Sequence, residues 1–316
     1  MYKLESFNTD STTTFTSLLK TKWNELHNNT STFRYKIDKL QKKIVNGKYL
    51  LLLNPDRWSK RRQPEAMNDI CQPFDVTKFN FTKVSLEEIL FSIEGKDSDV
   101  HSVLVNDSPI SRYHSLLCPS INKHLPQVVT PDSLELAVQI MFTIQDRDMR
   151  IVFNSMCGYA SVNHLHYHLL EEQNTLYVED VQWTHVKGSI YRLDESYPVP
   201  AICFEVQKHN LNTLKEVWKV LEYLLKKSIA HNMLITKRSR QGGCDDAVCV
   251  VIWPRKSTAG AKPLGAFNVA ALELSGWFTI YNSEDFNRLQ AEDLENELVK
   301  WNIDDFSQLC EEIKNL

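Results

Sequence analysis

Three of the ten histidines stand at alternate positions, His164, His166 and His168, with Leu165, Tyr167 and Leu169 between and after them. That period of 2 belongs to a strand: it sets the three imidazoles about 6.6 Å apart on one face and sends the apolar residues to the other. A helix would turn neighbouring members to opposite sides. Imidazole is largely neutral near pH 7, so one ring nitrogen can attack phosphorus while the other holds its proton against a fixed acceptor. His166, in the middle, is the best-placed nucleophile, and its neighbours can contact non-bridging phosphoryl oxygens or protonate a departing oxygen. A phosphohistidine formed there is itself reactive and hands its group to a second acceptor, a double displacement. Two other uses of the pattern stay open. One is a zinc site, which needs a fourth ligand and an outer shell of partners. The other is three structural histidines, each needing hydrogen-bond partners.

Around this triad the chain predicts an ordered set of elements. Arg150 to Asn154 reads as a short strand, Cys157-Gly158 as a turn and Val162 to Leu170 as the triad's own strand. Upstream, Val100 to Leu117 reads as two antiparallel strands joined by Asn106-Asp107-Ser108-Pro109. Thr130 caps a helix opened by Pro131, whose Leu134, Ala137, Val138, Met141 and Phe142 form one apolar stripe ending near Arg147. After Pro198 and Pro200 the pattern begins again: a strand at Ala201 to Val206, a helix from Leu211 to Ala230, and strands near Met233 to Lys237 and Ala247 to Trp253. These set a boundary around 195–205, giving units 1–200 and 201–316, the second ending in an acidic helical tail from Ser283. At the N-terminus, Thr13 to Asn28 and Tyr35 to Ile44 carry helical spacing. Between Asn54 and Pro73 lie Arg57, Lys60, Arg61 and Arg62 among three prolines. That segment is either a solvated loop or a place where one or two cations face a phosphate-bearing ligand.

Composition removes several classes of function. With 316 residues, 42% hydrophobic and 24% charged, the chain is a globular protein of about two units. Lys and Arg number 36 against 40 Asp and Glu, a net charge of −4, so no basic field exists to hold nucleic-acid backbone. Apolar runs such as Leu50 to Leu53 fall far short of the roughly 18 residues that a membrane-spanning helix needs. Seven cysteines without paired spacing, and no apolar leader, point to reduced thiols in the cytosol. Neither glycine-rich phosphate cradle occurs, so phosphates must be held by another device.

The His-x-His-x-His-x-x form of 164–170, with the small-residue turn Asn154 to Ser161 before it, resembles the histidine-triad superfamily. Further matches lie in Gln72-Pro73-Phe74-Asp75, Lys78 to Lys83, His124 to Pro131, Trp253 to Ser257 and Ala266 to Ala270. Over about residues 50–290 these resemble the GDP-D-glucose phosphorylase family, in the galactose-1-phosphate uridylyltransferase branch. The resemblance implies an α+β fold of two histidine-triad-like halves, each an antiparallel sheet with helices packed on it, the second half lacking a triad. It implies phosphorolysis of GDP-glucose through a guanylyl-histidine, with inorganic phosphate as acceptor. Carried over by motif position, His166 is the nucleophile, Asn154 and Ser161 lie near ribose and α-phosphate, and His168 contacts the phosphoryl oxygens. His164 orients, its carbonyl facing the nucleophile's second nitrogen, and His124 is a further superfamily position. Asn80 and Lys83 are candidates to approach the nucleotide, and Arg255 and Lys256 to hold the entering phosphate.

One departure is the third triad position, which is Gln in the uridylyltransferases and in plant GDP-galactose phosphorylases but His168 here; it leaves the leaving-group proton source open. With no Cys-x-x-Cys, no metal or other cofactor is expected. The oligomeric state stays open, a homodimer included. A nucleotide-sugar or dinucleoside hydrolase releasing GMP, and a guanine-nucleotide-binding regulator without turnover, are the competing functions.

Overall fold

The computed structural model describes residues 1–7, 14–29, 31–38, 40–237, 247–259 and 265–316. Its strands are β1 (Gln41–Val45), β2 (Tyr49–Leu53), β3 (Ile89–Glu94), β4 (Val100–Val105), β5 (Ser115–Cys118), β6 (Met149–Asn154) and β7 (Tyr167–Glu171). The remainder are β8 (Trp183–Lys187), β9 (Ile190–Leu193), β10 (Ile202–Gln207), β11 (Ala230–Thr236), β12 (Ala247–Arg255) and β13 (Trp277–Ile280).

Ten of them form one sheet in the order β3-β4-β5-β7-β6-β11-β12-β10-β9-β8, antiparallel at every pairing. The two halves therefore share a sheet, joined where β6 pairs with β11 through Asn154↔Asn232 and Ile151↔Ile235. Strands β8 and β9, N-terminal to the 195–205 boundary, sit at the far edge of the second half, beyond β10. Central strands alternate cleanly. Ile151, Phe153, Tyr167, Leu169, Met233 and Ile235 face a core covered by the helices Phe15–Asn29, Pro131–Thr143 and Thr213–Lys226. Val152, Leu170, Leu234 and Trp253 face the opposite core, closed by the small sheet β1-β2-β13, in which β13 runs parallel to β2. A sheet buried on both faces needs the near-continuous apolar runs that β11 and β12 carry.

Several sequence expectations are corrected. The described residues of 35–44 form no helix, and Gln41–Val45 is the first strand of a hairpin instead. Asn46 and Gly47 both take positive φ, 52° and 66°, which Asn and Gly tolerate best, so turn chemistry overrides the helical spacing. The first helix begins at Phe15, Thr13 lying outside the described residues. The helix opened by Pro131 stops at Thr143, where Ile144 turns extended. Within Asn54 to Pro73, Pro55–Lys60 is helical, with the Asn54 side chain accepting from the Arg57 amide.

Candidate active site

Strand β6 ends at Asn154 and the chain turns back through 155–161. The Gly158 and Ala160 amides both donate to the Ser155 carbonyl, at 2.9 and 3.2 Å. A Cβ on Gly158 would lie 2.8 Å from Ser155 Oγ and 3.0 Å from the His231 carbonyl, so the turn requires glycine there.

The expected triad strand begins only at Tyr167. His168 pairs with Val152, the last rung between β6 and β7; beyond it the Gln127 side chain, not a ladder partner, bonds the Asn154 carbonyl and the His166 backbone. Residues 163–166 are held by a loop. Leu165 donates to the Leu125 carbonyl at 2.9 Å, and buried Gln127 clamps the backbone of His166. Its Oε1 accepts from the His166 amide at 2.8 Å, and its Nε2 donates to the carbonyls of His166 at 3.0 Å and Asn154 at 2.9 Å.

Leu165, Tyr167 and Leu169 share the helix-covered core, Phe81 packs against both His164 and His166, and of the three imidazoles only His166 and His168 line the pocket. His164 packs between Phe74 and Phe81 and accepts the Phe81 amide on Nδ1 at 3.0 Å. His166 Nδ1 sits 2.7 Å from the His164 carbonyl. A carbonyl only accepts, so the ring's proton is on Nδ1 and the Nε2 lone pair is the one available to the pocket that His166 lines. Burial pushes the His166 pKa down to about 4, leaving it neutral at pH 7.

His168 Nδ1 lies 2.9 Å from Nε2 of His114, a fully buried residue that the sequence reading passed over. His114 Nδ1 accepts the Ile110 amide at 2.9 Å, so its proton is on Nε2 and is donated to His168. His168 must then carry its own proton on Nε2, as a donor toward the pocket. Burial, reinforced by the neighbouring imidazole and Arg57, holds both rings well below the usual histidine range.

Facing the histidines are three cations. Asn54 caps the helix Pro55–Lys60 and donates to the carbonyls of Pro109 and Ile110 at 3.1 and 3.0 Å, tying that helix to the turn that orients His114. Arg57, one turn on, donates to the Ser108 carbonyl. Arg57, Arg61 and Arg62 line one pocket with His166, His168 and Ser161. Arg62 stacks 3.2 Å over the Phe79 ring and reaches Asp107 at 3.4 Å. Arg61 pairs with no carboxylate among the described residues, and burial lowers its pKa.

The other expected residues lie elsewhere. Asn154 Oδ1 is taken by Asn232 Nδ2 at 2.6 Å and the Ala271 amide at 2.9 Å. Asn80 caps Thr82, and Lys83 Nζ donates to the carbonyls of Val76, Thr77 and Lys78, so both stabilise the loop that presents Phe79 and Phe81. His124 stacks on Phe74 away from the pocket. Arg255 is buried between Trp301 and Tyr159 and bonded to Asn232 and the Val269 carbonyl; burial lowers its pKa to about 10. Lys256 points outward to Asp304 at 2.8 Å. Neither meets the pocket, because the aromatic sandwich captures the Arg255 side chain and Lys256 leaves the sheet on the solvent side. Among the described residues no three His, Cys, Asp or Glu side chains group as metal ligands, and no helix is long and apolar enough to cross a membrane.

The site is thus a neutral imidazole anchored through Nδ1, its Nε2 opening onto an arginine-lined pocket in a chain that carries a His-x-His-x-His motif. The chain belongs to the GDPGP1-like family: the models described as "GDPGP1-like, N-terminal domain" and "GDPGP1-like, C-terminal domain" match residues 14–170 and 170–316. It is 32% identical over 302 residues to GDP-D-glucose phosphorylase 1 of Danio rerio, covering 91% of this chain and 86% of that protein. To the Xenopus laevis protein of the same name it is 32% identical over 322 residues, covering 87% and 80%. The fold resembles yeast Ap4A phosphorylase Apa2 in complex with AMP, with a TM-score of 0.62 at 15% identity over 92% of this chain and 99% of that one.

Proposed function

We propose that this chain is a GDP-D-glucose phosphorylase. His166 Nε2 attacks the α-phosphorus of GDP-glucose, and the bond from that phosphorus to the bridging oxygen breaks. Glucose 1-phosphate leaves with the electron pair, and GMP stays on His166. Inorganic phosphate then attacks the same phosphorus, and GDP departs with the histidine restored. A departing phosphate monoester has a second pKa of about 6, so it leaves near pH 7 as a dianion and needs no general acid. On this reading His168 has only to donate Nε2–H to a phosphoryl oxygen, a role an amide fills equally well.

Arg57, Arg61 and Arg62 take the β-phosphate and then the entering phosphate, the work expected of Arg255 and Lys256. Ser161 lines the same pocket and is assigned to the α-phosphate oxygens. The observation that carries this reading is His166 Nδ1 fixed 2.7 Å from the His164 carbonyl with its Nε2 toward the arginines. The names of the relatives support guanine and glucose, and cysteines without paired spacing support the cytosol. Nucleotide chromatography after incubation with GDP-glucose tests it: GDP forming only with added phosphate is the expected result, and GMP forming without phosphate would make the protein a hydrolase.

A further inference from the structure

The part of the pocket that does no chemistry is shaped for recognition. Beside His166 its walls are Phe81, Leu104, Leu116 and Val162, with the Phe81 ring 4.9 Å from that of His166. Such a slot takes a flat apolar face, the part of a nucleotide next to its phosphate-bearing sugar. Two carboxylates also line it, Asp107 and Glu88. Asp107 is already committed: Oδ2 takes Arg34 at 2.8 Å and Arg62 at 3.4 Å, and Oδ1 accepts the Ser108 hydroxyl at 2.9 Å.

Glu88 is placed differently. It ends the short turn Leu86–Glu88 and precedes Ile89, which pairs with Leu104, so it stands at the rim of the apolar slot. Its Oε1 accepts the Ser85 amide at 3.0 Å, which fixes the side chain. Its Oε2 takes no hydrogen bond among the described residues. Arg62 lies within electrostatic reach of Glu88 but is stacked on Phe79 and paired to Asp107.

A fixed carboxylate with an open oxygen at the edge of a purine slot complements a base edge bearing two adjacent N–H donors. Guanine presents N1–H and N2–H there; adenine presents a bare N1 acceptor, which a carboxylate repels. We propose that Glu88 is the residue that reads the base, accepting from guanine N1–H and N2–H and excluding adenine. This rests on the guanylyl transfer proposed above.

The test compares GDP-glucose, IDP-glucose and ADP-glucose in phosphorolysis, and GMP with AMP in calorimetric binding, for the wild type and Glu88→Gln. Losing the carboxylate is expected to lower kcat/KM for GDP-glucose about 10- to 100-fold through KM, with kcat held, and to cut the guanine-to-adenine ratio by a similar factor. IDP-glucose, which lacks the N2 amine, is expected to lose about 10-fold on the wild type and less on the variant. The GMP-to-AMP affinity ratio is independent of the fraction folded, so it decides the matter if the variant is poorly stable. A wild-type guanine preference preserved in Glu88→Gln overturns the assignment. A wild type that binds GMP over AMP but leaves GDP-glucose intact overturns the phosphorylase reading instead, and the binding ratio of the variant still decides Glu88.

Discussion

Gln127 is the side chain on which the nucleophile's backbone hangs, and replacing it by Leu isolates that role. Leu keeps most of the volume and removes three hydrogen bonds: from the His166 amide at 2.8 Å, and to the His166 and Asn154 carbonyls at 3.0 and 2.9 Å. All three partners are backbone groups in a buried setting, and Gln127 itself is 1% exposed, so water does not replace the lost partner. Leaving a buried polar group unsatisfied costs about 1–3 kcal/mol, so three give about 3–6 kcal/mol after partial relaxation. At roughly 2 °C per kcal/mol for a chain of this size, the melting temperature falls by about 6–12 °C. The catalytic effect is separate. With residues 163–166 outside any strand ladder, the clamp is a main restraint on where His166 Nε2 stands, beside the Leu165–Leu125 bond and the ring's contact with the His164 carbonyl, and a displacement near 1 Å costs about 100-fold in rate. Differential scanning fluorimetry and steady-state phosphorolysis below the new melting temperature read the two effects apart. A variant with unchanged melting temperature and unchanged kcat would refute the reasoning, and a lower melting temperature with wild-type kcat would confine Gln127 to stability.

The remaining predictions concern the histidines behind the site. His114→Phe removes the donor that fixes the His168 tautomer and is expected to lower kcat by roughly 10- to 100-fold, as loss of an outer hydrogen-bond partner commonly does. In a His168→Gln background, where no tautomer exists to fix, the same change is expected to cost much less, and equal losses in both backgrounds would contradict the relay. His164, His166 and His231 have folded pKa values near 4, lowered by burial, against about 6.5 when unfolded. Between those values the unfolded chain binds more protons, so the stability these residues contribute is complete above pH 6.5 and is lost as the pH falls toward 4. Each is worth about 1.4 kcal/mol per pH unit, so one unit below 6.5 removes on the order of 4 kcal/mol. A melting temperature flat from pH 7.5 to 5.0 would count against it.

The sequence carried the chemistry further than the geometry. Alternation of His164, His166 and His168 with apolar residues correctly sends Leu165, Tyr167 and Leu169 into one core, although the strand itself spans only Tyr167–Glu171. It does not reveal that the β6–β7 ladder stops at Val152, with the Gln127 side chain taking the Asn154 and His166 backbone groups beyond it, so that residues 163–166 form a loop. That partition depends on contacts between residues far apart in the chain. Gln127 and His114 are illegible for the same reason: each acts through hydrogen bonds to residues distant in the chain, and no periodicity points to them. The basic segment at 57–62 was legible as a cluster, but its direction is fixed by Asn54 capping a six-residue helix against the turn at 109–110. Arg255 and Lys256 misled because adjacent cations read alike in sequence, whereas aromatic rings bury one and solvent takes the other. At Asn46-Gly47 two successive positive-φ residues make a hairpin turn, and that turn outweighs the helical spacing of 35–44.

The central claim is a covalent guanylyl group on His166, and mass spectrometry tests it most directly. Protein mixed briefly with GDP-glucose in phosphate-free buffer is digested at neutral pH, because a phosphohistidine-type bond does not survive acid. The account predicts a mass increase corresponding to GMP on the peptide carrying residue 166, absent in His166→Ala and discharged as GDP on adding phosphate. Phosphate-dependent GDP formation undiminished in His166→Ala, or the label found on another residue, would contradict it.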